Sequence, residues 1–329
     1  MIELKDVCKN YGDTRALIDV SFSVKKGEII GFVGPNGAGK STAMKIITTY
    51  TAPTSGKAVV GGYDVLESPL DVRRLIGYLP ETVPLYYDLL VGEYLEFIGK
   101  ARHLNGRLQQ RLDWVVEAAG LKDTLNRKIG VLSKGFKQRT CLAQALIHDP
   151  EVLILDEPTS GLDPLQIIGI RNLIRSLAHE KTIILSTHIL PEVATIADRI
   201  LVINDGRIVG DGSFEQLRQQ VTQHNSYYIA VKSTKKDFQA AIKSMPEIEA
   251  VEFDDEVPRG VVGCHVYASH QVDLVEKLNE LIQSQKWNVV EFQRERISLE
   301  ESFIKLTQAT STNLNSNTTE VEKQEGGAA

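Results

Sequence analysis

The run Gly34-Pro35-Asn36-Gly37-Ala38-Gly39-Lys40-Ser41 constrains this chain more than any other stretch. It fits the pattern G-x-x-x-x-G-K-[ST]. Glycines at these points let successive backbone N–H groups turn inward around an anion. A helix that starts near Ser41 then aims the positive end of its dipole at the same anion. Lys40 has the reach to contact two phosphates, and the Ser41 hydroxyl is a hard oxygen donor suited to Mg²⁺. The flanks agree: Ile29-Ile30-Gly31-Phe32-Val33 is an apolar strand, and Thr42 to Ile47 has helical spacing. The expected ligand is a nucleoside triphosphate, held by Gly34 to Thr42.

A second feature gives that loop a chemistry. Val152-Leu153-Ile154-Leu155 is an apolar strand that ends in Asp156-Glu157. A carboxylate at the C-terminal end of a strand faces the ligand crevice of an open α/β sheet. Asp156 is the candidate to hold Mg²⁺ through water, and Glu157 to take a proton from an attacking water.

Composition narrows the setting. The chain has 329 residues, 42% of them apolar, with a net charge of −6. That length predicts two domains. The acidic balance and the lack of a dense Lys/Arg block argue against a nucleic-acid partner. No apolar run has the length of a membrane span, and the first residues, MIELKDVCKNYG, carry no signal-peptide pattern. A cytoplasmic chain is expected. Cys8, Cys141 and Cys264 have no metal spacing and are expected to be reduced, buried thiols.

Residues 1–220 read as an α/β domain with buried parallel strands, Thr182-Ile183-Ile184-Leu185 among them. Strand signals vanish over about 82–150, where Tyr94 to His103, Leu108 to Ala119 and Lys134 to Ile147 show helical spacing. A helical subdomain inserted into the sheet domain is expected there. Over 226–306 the predicted order is βαββαβ, a small C-terminal α+β domain of ferredoxin-like type. Its elements are strands at 227–231, 248–253, 261–267 and 289–292, and helices at 236–244 and 272–282. His265 and His270 are expected to be structural. Ser298-Leu299-Glu300-Glu301 reads as a capping box opening a last helix to Leu306, and 307–329 as a disordered tail.

Three further motifs carry a family resemblance. Leu132-Ser133-Lys134-Gly135-Phe136-Lys137-Gln138-Arg139 resembles the signature of ABC ATPases. Ser160-Gly161-Leu162-Asp163 resembles their D-loop, and Ser186-Thr187-His188 their switch histidine. Tyr11 stands where the family places an adenine-stacking aromatic. The resemblance covers residues 1 to about 220 and includes every expected motif in order. It implies the P-loop NTPase fold of ABC ATPases, ATP and Mg²⁺ as ligands, and hydrolysis to ADP and phosphate. It implies Glu157 and His188 as catalytic residues, and Ser41, Glu81 and Asp156 around the metal. It also implies a head-to-tail dimer, of this chain or with a close paralogue. There Ser133, Gly135 and Asp163 of one copy meet the nucleotide of the other.

Three positions depart from the family pattern. Glu81, in Gly77-Tyr78-Leu79-Pro80-Glu81, stands where most members have glutamine, and adds negative charge beside the phosphates. Lys134 and Phe136 replace a glycine and a glutamine of the signature. The Tyr-Leu-Pro-Glu loop, the run Pro84-Leu85-Tyr86-Tyr87-Asp88-Leu89 and the ending Ser298 to Phe303 look like ABC-2 exporters of the gliding-motility and multidrug type. That branch implies export through separate integral-membrane permease subunits, with this chain on the cytoplasmic face of the membrane. Tyr86, Tyr87 and Leu89 to Phe97 are then the docking surface, unless the stripe simply packs on the core. Two other classes compete. A soluble ABC ATPase acting on a ribosome or nucleic-acid complex usually brings two cassettes, long coiled coils or Cys pairs, none of which is present. A P-loop kinase leaves the signature and switch histidine unexplained.

Overall fold

The computed structural model describes residues 1–295 except 83–84, 179, 222–223, 244, 255 and 270–271. The last helix, the tail and His270 of the sequence reading lie outside the described residues. The described chain divides into one compact unit from Met1 to Phe214 and a second that begins at Glu215.

The first unit is built on a six-stranded sheet. Its strands are β3 (Ile29–Val33), β6 (Ile76–Leu79), β7 (Val152–Asp156), β8 (Thr182–Thr187), β9 (Arg199–Asn204) and β10 (Arg207–Gly212). They lie in the order β10-β9-β3-β8-β7-β6, and all neighbours except β10 and β9 run parallel. Every residue of β3, β7 and β8 is buried. That is why these strands read as continuous apolar runs instead of alternating ones. Parallel pairing also puts the ends of β3, β7 and β8 side by side, so the residues that follow them share one edge.

A second sheet has the order β2-β1-β4-β5, from β1 (Ile2–Tyr11), β2 (Thr14–Val24), β4 (Ser55–Val60) and β5 (Tyr63–Asp64). The sequence reading names none of these strands. The physical reason is visible in the β1–β2 pair, whose register shifts between Leu4 and Val7 and again between Val7 and Lys9. Asp6 and Asp19 adopt positive φ at these irregularities, 46° and 50°. Bulges of this kind break the two-residue alternation by which a half-buried strand is recognised. The two sheets share one core, in which Leu4, Val7 and Val20 pack with Phe32, Met44 and Ile154.

Helix α1 (Lys40–Ile47) follows β3, and α2 (Pro69–Leu75) precedes β6. Between β6 and β7 no strand occurs among the described residues. That interval holds α3 (Val91–Ala101), α4 (Leu108–Ala118) and α5 (Lys134–Leu146), as expected of an inserted helical segment. Helices α6 (Pro164–Ser176) and α7 (Leu190–Ala194) flank β8, and α8 (Phe214–Val221) comes after β10. Among the described residues no helix is long and apolar enough to cross a membrane.

The second unit contains β11 (His224–Lys232), α9 (Lys235–Ile242), β12 (Ile248–Asp254), β13 (Val262–Ser269), α10 (Val275–Ser284) and β14 (Asn288–Glu295). The sheet order is β12-β13-β11-β14, all antiparallel, which is the ferredoxin-like arrangement of a βαββαβ chain. Phe238, Ile242, Leu278 and Ile282 of the helices pack with Tyr227, Ile229, Cys264 and Val266 of the strands. Helix α10 begins three residues later than its apolar spacing predicts. Asp273 accepts the Val275 N–H at 3.0 Å and sets the start, leaving Val272 outside. His265 is structural, with Nδ1 bonded to Glu295 Oε2 at 3.0 Å. Cys141 and Cys264 are buried, and burial pushes both thiols up to about 12. Cys8 departs from expectation: it is only half-buried and bonds Asp19 Oδ1 at 3.2 Å.

Candidate functional site

The turn after β3 is shaped by close approach. A Cβ on Gly34 would lie 2.4 Å from the Ile203 carbonyl oxygen, and one on Gly39 2.7 Å from the Ala16 carbonyl oxygen. Gly37 and Gly39 have φ of 82° and 109°, a region that side chains disfavour. The loop therefore presses against β2 and β9 on one side while its other side stays open. That open side borders a cavity of about 380 Å³, lined by Asn36, Gly37, Gly39, Lys40, Ser41 and Thr42 of the loop. Across from them stand Glu81, Glu157, Ser160 and His188.

Lys40 is buried to 6% exposure. Its ammonium donates to the carbonyls of Gly34 at 2.8 Å and Pro35 at 3.2 Å, and lies 3.6 Å from Glu157 Oε1. Those carbonyls belong to the same loop, so Lys40 is held at the cavity wall by backbone dipoles. Ala38 is buried, and its carbonyl accepts the Gly206 N–H at 3.0 Å.

Glu157 has φ of 50°, which costs a non-glycine residue roughly 1–2 kcal/mol. The turn is held from β8: the Glu157 N–H donates to Ser186 O at 3.2 Å and Ser186 Oγ at 3.1 Å. The Ser186 hydroxyl in turn donates to Asp156 Oδ1 at 2.5 Å. One serine thus positions both carboxylates. Asp156 is 2% exposed and stands outside the cavity lining, behind Glu157 in sequence. His188 Nδ1 lies 2.9 Å from Glu157 Oε2. A carboxylate makes that nitrogen the donor, so a second N–H on Nε2 requires the doubly protonated ring.

The donor set can be tested against the expected ligands. Backbone N–H groups, a lysine and hydroxyls in a cavity of this size suit a polyphosphate. The metal candidates Ser41, Glu81 and Asp156 offer only oxygen, which is the chemistry of Mg²⁺. Among the described residues no group of three or more His, Cys, Asp or Glu side chains is arranged to hold a metal. An ion bound here would complete its shell with phosphate oxygens and water, the usual habit of Mg²⁺ with nucleotides.

The remaining expected site residues lie elsewhere. Ser133 accepts the Phe136 N–H at 3.4 Å and caps α5. Asp163 accepts the Gln166 N–H at 2.9 Å and caps α6. These two helix starts interlock. A Cβ on Gly135 would fall 2.4 Å from the Gln166 amide carbon, and one on Gly161 would fall 1.9 Å from Lys134 Nζ. None of Ser133, Gly135 and Asp163 lines the cavity. Tyr11 is 48% exposed with Lys9 Nζ 5.0 Å above its ring, and is likewise outside the lining.

Sequence reading missed Ala16 and Ser160 in the cavity wall and the buried group behind it. There Thr159 donates to Glu192 Oε2 at 2.5 Å, and Thr187 at 3.4 Å. Ser160 had a signal, its place three residues after Glu157. Ala16 and Glu192 had none, because neither lies in a motif.

The aromatic stripe of the helical segment is mostly exposed. Tyr86, Tyr87 and Phe97 are 56%, 54% and 48% exposed, and Tyr86 meets Phe97 edge-on at 5.8 Å. They border a surface cavity of about 490 Å³ with Leu85, Asp88 and Leu89. Tyr94 alone of the stripe's aromatics is buried, and it donates to Gln144.

Comparison with known proteins gives the family. Residues 17–160 match the family described as ABC transporter. The chain is 31% identical over 308 residues to the bacitracin transport ATP-binding protein BcrA of Bacillus licheniformis, covering 93% of this chain and 97% of BcrA. It is 32% identical over 309 residues to the linearmycin resistance ATP-binding protein LnrL of Bacillus subtilis, covering 93% and 98%. A solved structure described as a dimeric post-hydrolysis state of the ATP-binding cassette MJ0796, bound to ADP and Pi, superposes with a TM-score of 0.58 at 28% identity. It covers 65% of this chain and 98% of that one.

Proposed function

The chain belongs to the ABC transporter ATP-binding proteins, as an ATPase of exporter-type systems, and from that premise we propose that it hydrolyses Mg-ATP at the interface of a head-to-tail dimer to drive separate membrane permease subunits. One observation carries this reading. Lys40, Ser41, Glu157 and His188 converge on one cavity, while Ser133, Gly135 and Asp163 gather outside it. A site split this way is completed by a second copy that brings its own α5 start to the open side.

In this reading the loop N–H groups and Lys40 bind the β- and γ-phosphates. Ser41, Glu81 and Asp156 hold Mg²⁺, which when bound neutralises charge on the phosphate oxygens. Glu157 takes a proton from the attacking water. The new bond forms between that water's oxygen and the γ-phosphorus, and the bond from the γ-phosphorus to the bridging oxygen breaks, releasing ADP and phosphate. His188 orients Glu157 through Nδ1 and, when doubly protonated, donates through Nε2 to the γ-phosphate. Tyr11 stacks on the adenine. The exposed Tyr86, Tyr87 and Phe97 surface receives the permease, which places the chain peripherally on the cytoplasmic face of the membrane. BcrA and LnrL by name serve bacitracin transport and linearmycin resistance, which supports an export role here.

The test uses Glu157→Gln. Loss of a general base lowers turnover on the order of 10²–10⁴-fold, and the variant should accumulate as an ATP-bound dimer on size-exclusion chromatography. A turnover equal to that of the unaltered protein would remove Glu157 from its role.

A further inference from the structure

The cavity is short of positive charge for the ligand it is built to hold. Its lysine and carboxylate lining groups are Lys40, Glu81 and Glu157, and Lys40 already lies 3.6 Å from Glu157. Asp156 adds a third carboxylate immediately before Glu157. One ammonium against three carboxylates leaves, even with a divalent ion bound among them, no net positive charge for a polyphosphate. Glu81 makes it worse than the glutamine that the family pattern expects.

A lysine without a structural partner lies at the other half of the split site. Lys134 is exposed and is the first residue of α5, whose first turn contains no acidic residue. A cation there opposes the helix dipole. Among the described residues of its own copy nothing offsets that opposition. Lys134 makes no hydrogen bond or ion pair among the described residues, whereas its neighbour Lys137 rests over the Tyr87 ring at 5.3 Å. The Lys134 chain instead lies across Gly161, where a Cβ would fall 1.9 Å from Nζ, 3.1 Å from Cε and 3.5 Å from Cδ. The absent side chain at Gly161 leaves room for the Lys134 stem, and Lys134 directly follows Ser133, in the part of the chain that the dimer reading turns toward the opposing nucleotide.

We propose that Lys134 is a phosphate-binding residue acting across the subunit interface, which supplies the positive charge that Glu81 takes from the opposing cavity. The inference rests on the head-to-tail reading above. It assigns Glu81 and Lys134, two of the departures from the family pattern, to one cause: a charge removed on one side of the interface is returned from the other.

The experiment is done in full-length Glu157→Gln protein, following dimerisation by light scattering as Mg-ATP is raised. Lys134→Met keeps the stem on Gly161 and removes only the charge; it should raise the ATP midpoint roughly tenfold, the loss of one charge-assisted contact. Lys134→Arg should stay within about twofold of the parent, since it keeps a cation that can pair with phosphate. Adding Glu81→Gln to Lys134→Met should recover most of the loss. A Lys134→Met midpoint equal to the parent's overturns the inference while leaving the dimer intact. A failure of Glu157→Gln itself to dimerise at any ATP concentration overturns the head-to-tail reading, and the inference with it.

Discussion

His148 shows how much one side chain can tie stability to pH. Its Nε2 bonds the Ile76 carbonyl at 3.0 Å, at the junction of α5 with β6. Burial first, and then the Arg102 and Arg111 guanidinium groups, hold its pKa near 4 instead of 6.5. The unfolded chain therefore binds a proton below about pH 6.5 that the folded chain refuses until about pH 4. Stability from this residue is complete above the higher value, falls as pH drops, and levels off below the lower one. The loss amounts to at most roughly 3 kcal/mol. Urea unfolding at about pH 7 and about pH 5 should show it, and His148→Gln should flatten the difference. The chain itself gives little warning of such a residue, since His148 follows a helix and precedes Asp-Pro like many a surface histidine. Glu157 is the opposite case. Its identity was plain in the motif, but its φ of 50° and its attachment to Ser186 were not.

Among the elements, the helix starts carry the argument. Ser133 caps α5 and Asp163 caps α6; Ser133 was legible as a cap residue from its place before a helical run, whereas Asp163 was legible only as part of a motif. Ser133→Ala should cost about 1 kcal/mol of stability, a typical loss for a removed cap, measured by thermal or urea unfolding without nucleotide. An unchanged midpoint would mean that the 3.4 Å bond to Phe136 contributes nothing. Strands were legible in proportion to their burial. β3, β7 and β8 stood out as unbroken apolar runs, whereas β1 and β2 were hidden by bulges at Asp6 and Asp19. What no local pattern could reveal is that α5 and α6 interlock through Gly135 and Gly161. That depends on the side chains of Gln166 and Lys134 lying over the two glycines, a juxtaposition in space.

At the scale of the whole molecule, each unit has its own apolar core and every residue lining the cavity belongs to the first. A chain ended after Phe214 should therefore bind Mg-ATP with a Kd within about threefold of the full-length value, a difference of under 1 kcal/mol, by titration calorimetry. A loss of binding would show that the second unit supports the site. The sequence by itself determined the ligand class and the order of the motifs, because phosphate loops and the strands and helices that flank them are written in neighbouring residues. Only the tertiary structure decided which groups meet. Parallel pairing of β3, β7 and β8 brings Lys40 to one edge with Glu157 and His188, each more than a hundred residues further along the chain, and leaves Ser133 and Lys134 beyond it. Such a division of charge between cavity and outer surface is a property of distances in space, which spacing along a chain does not encode.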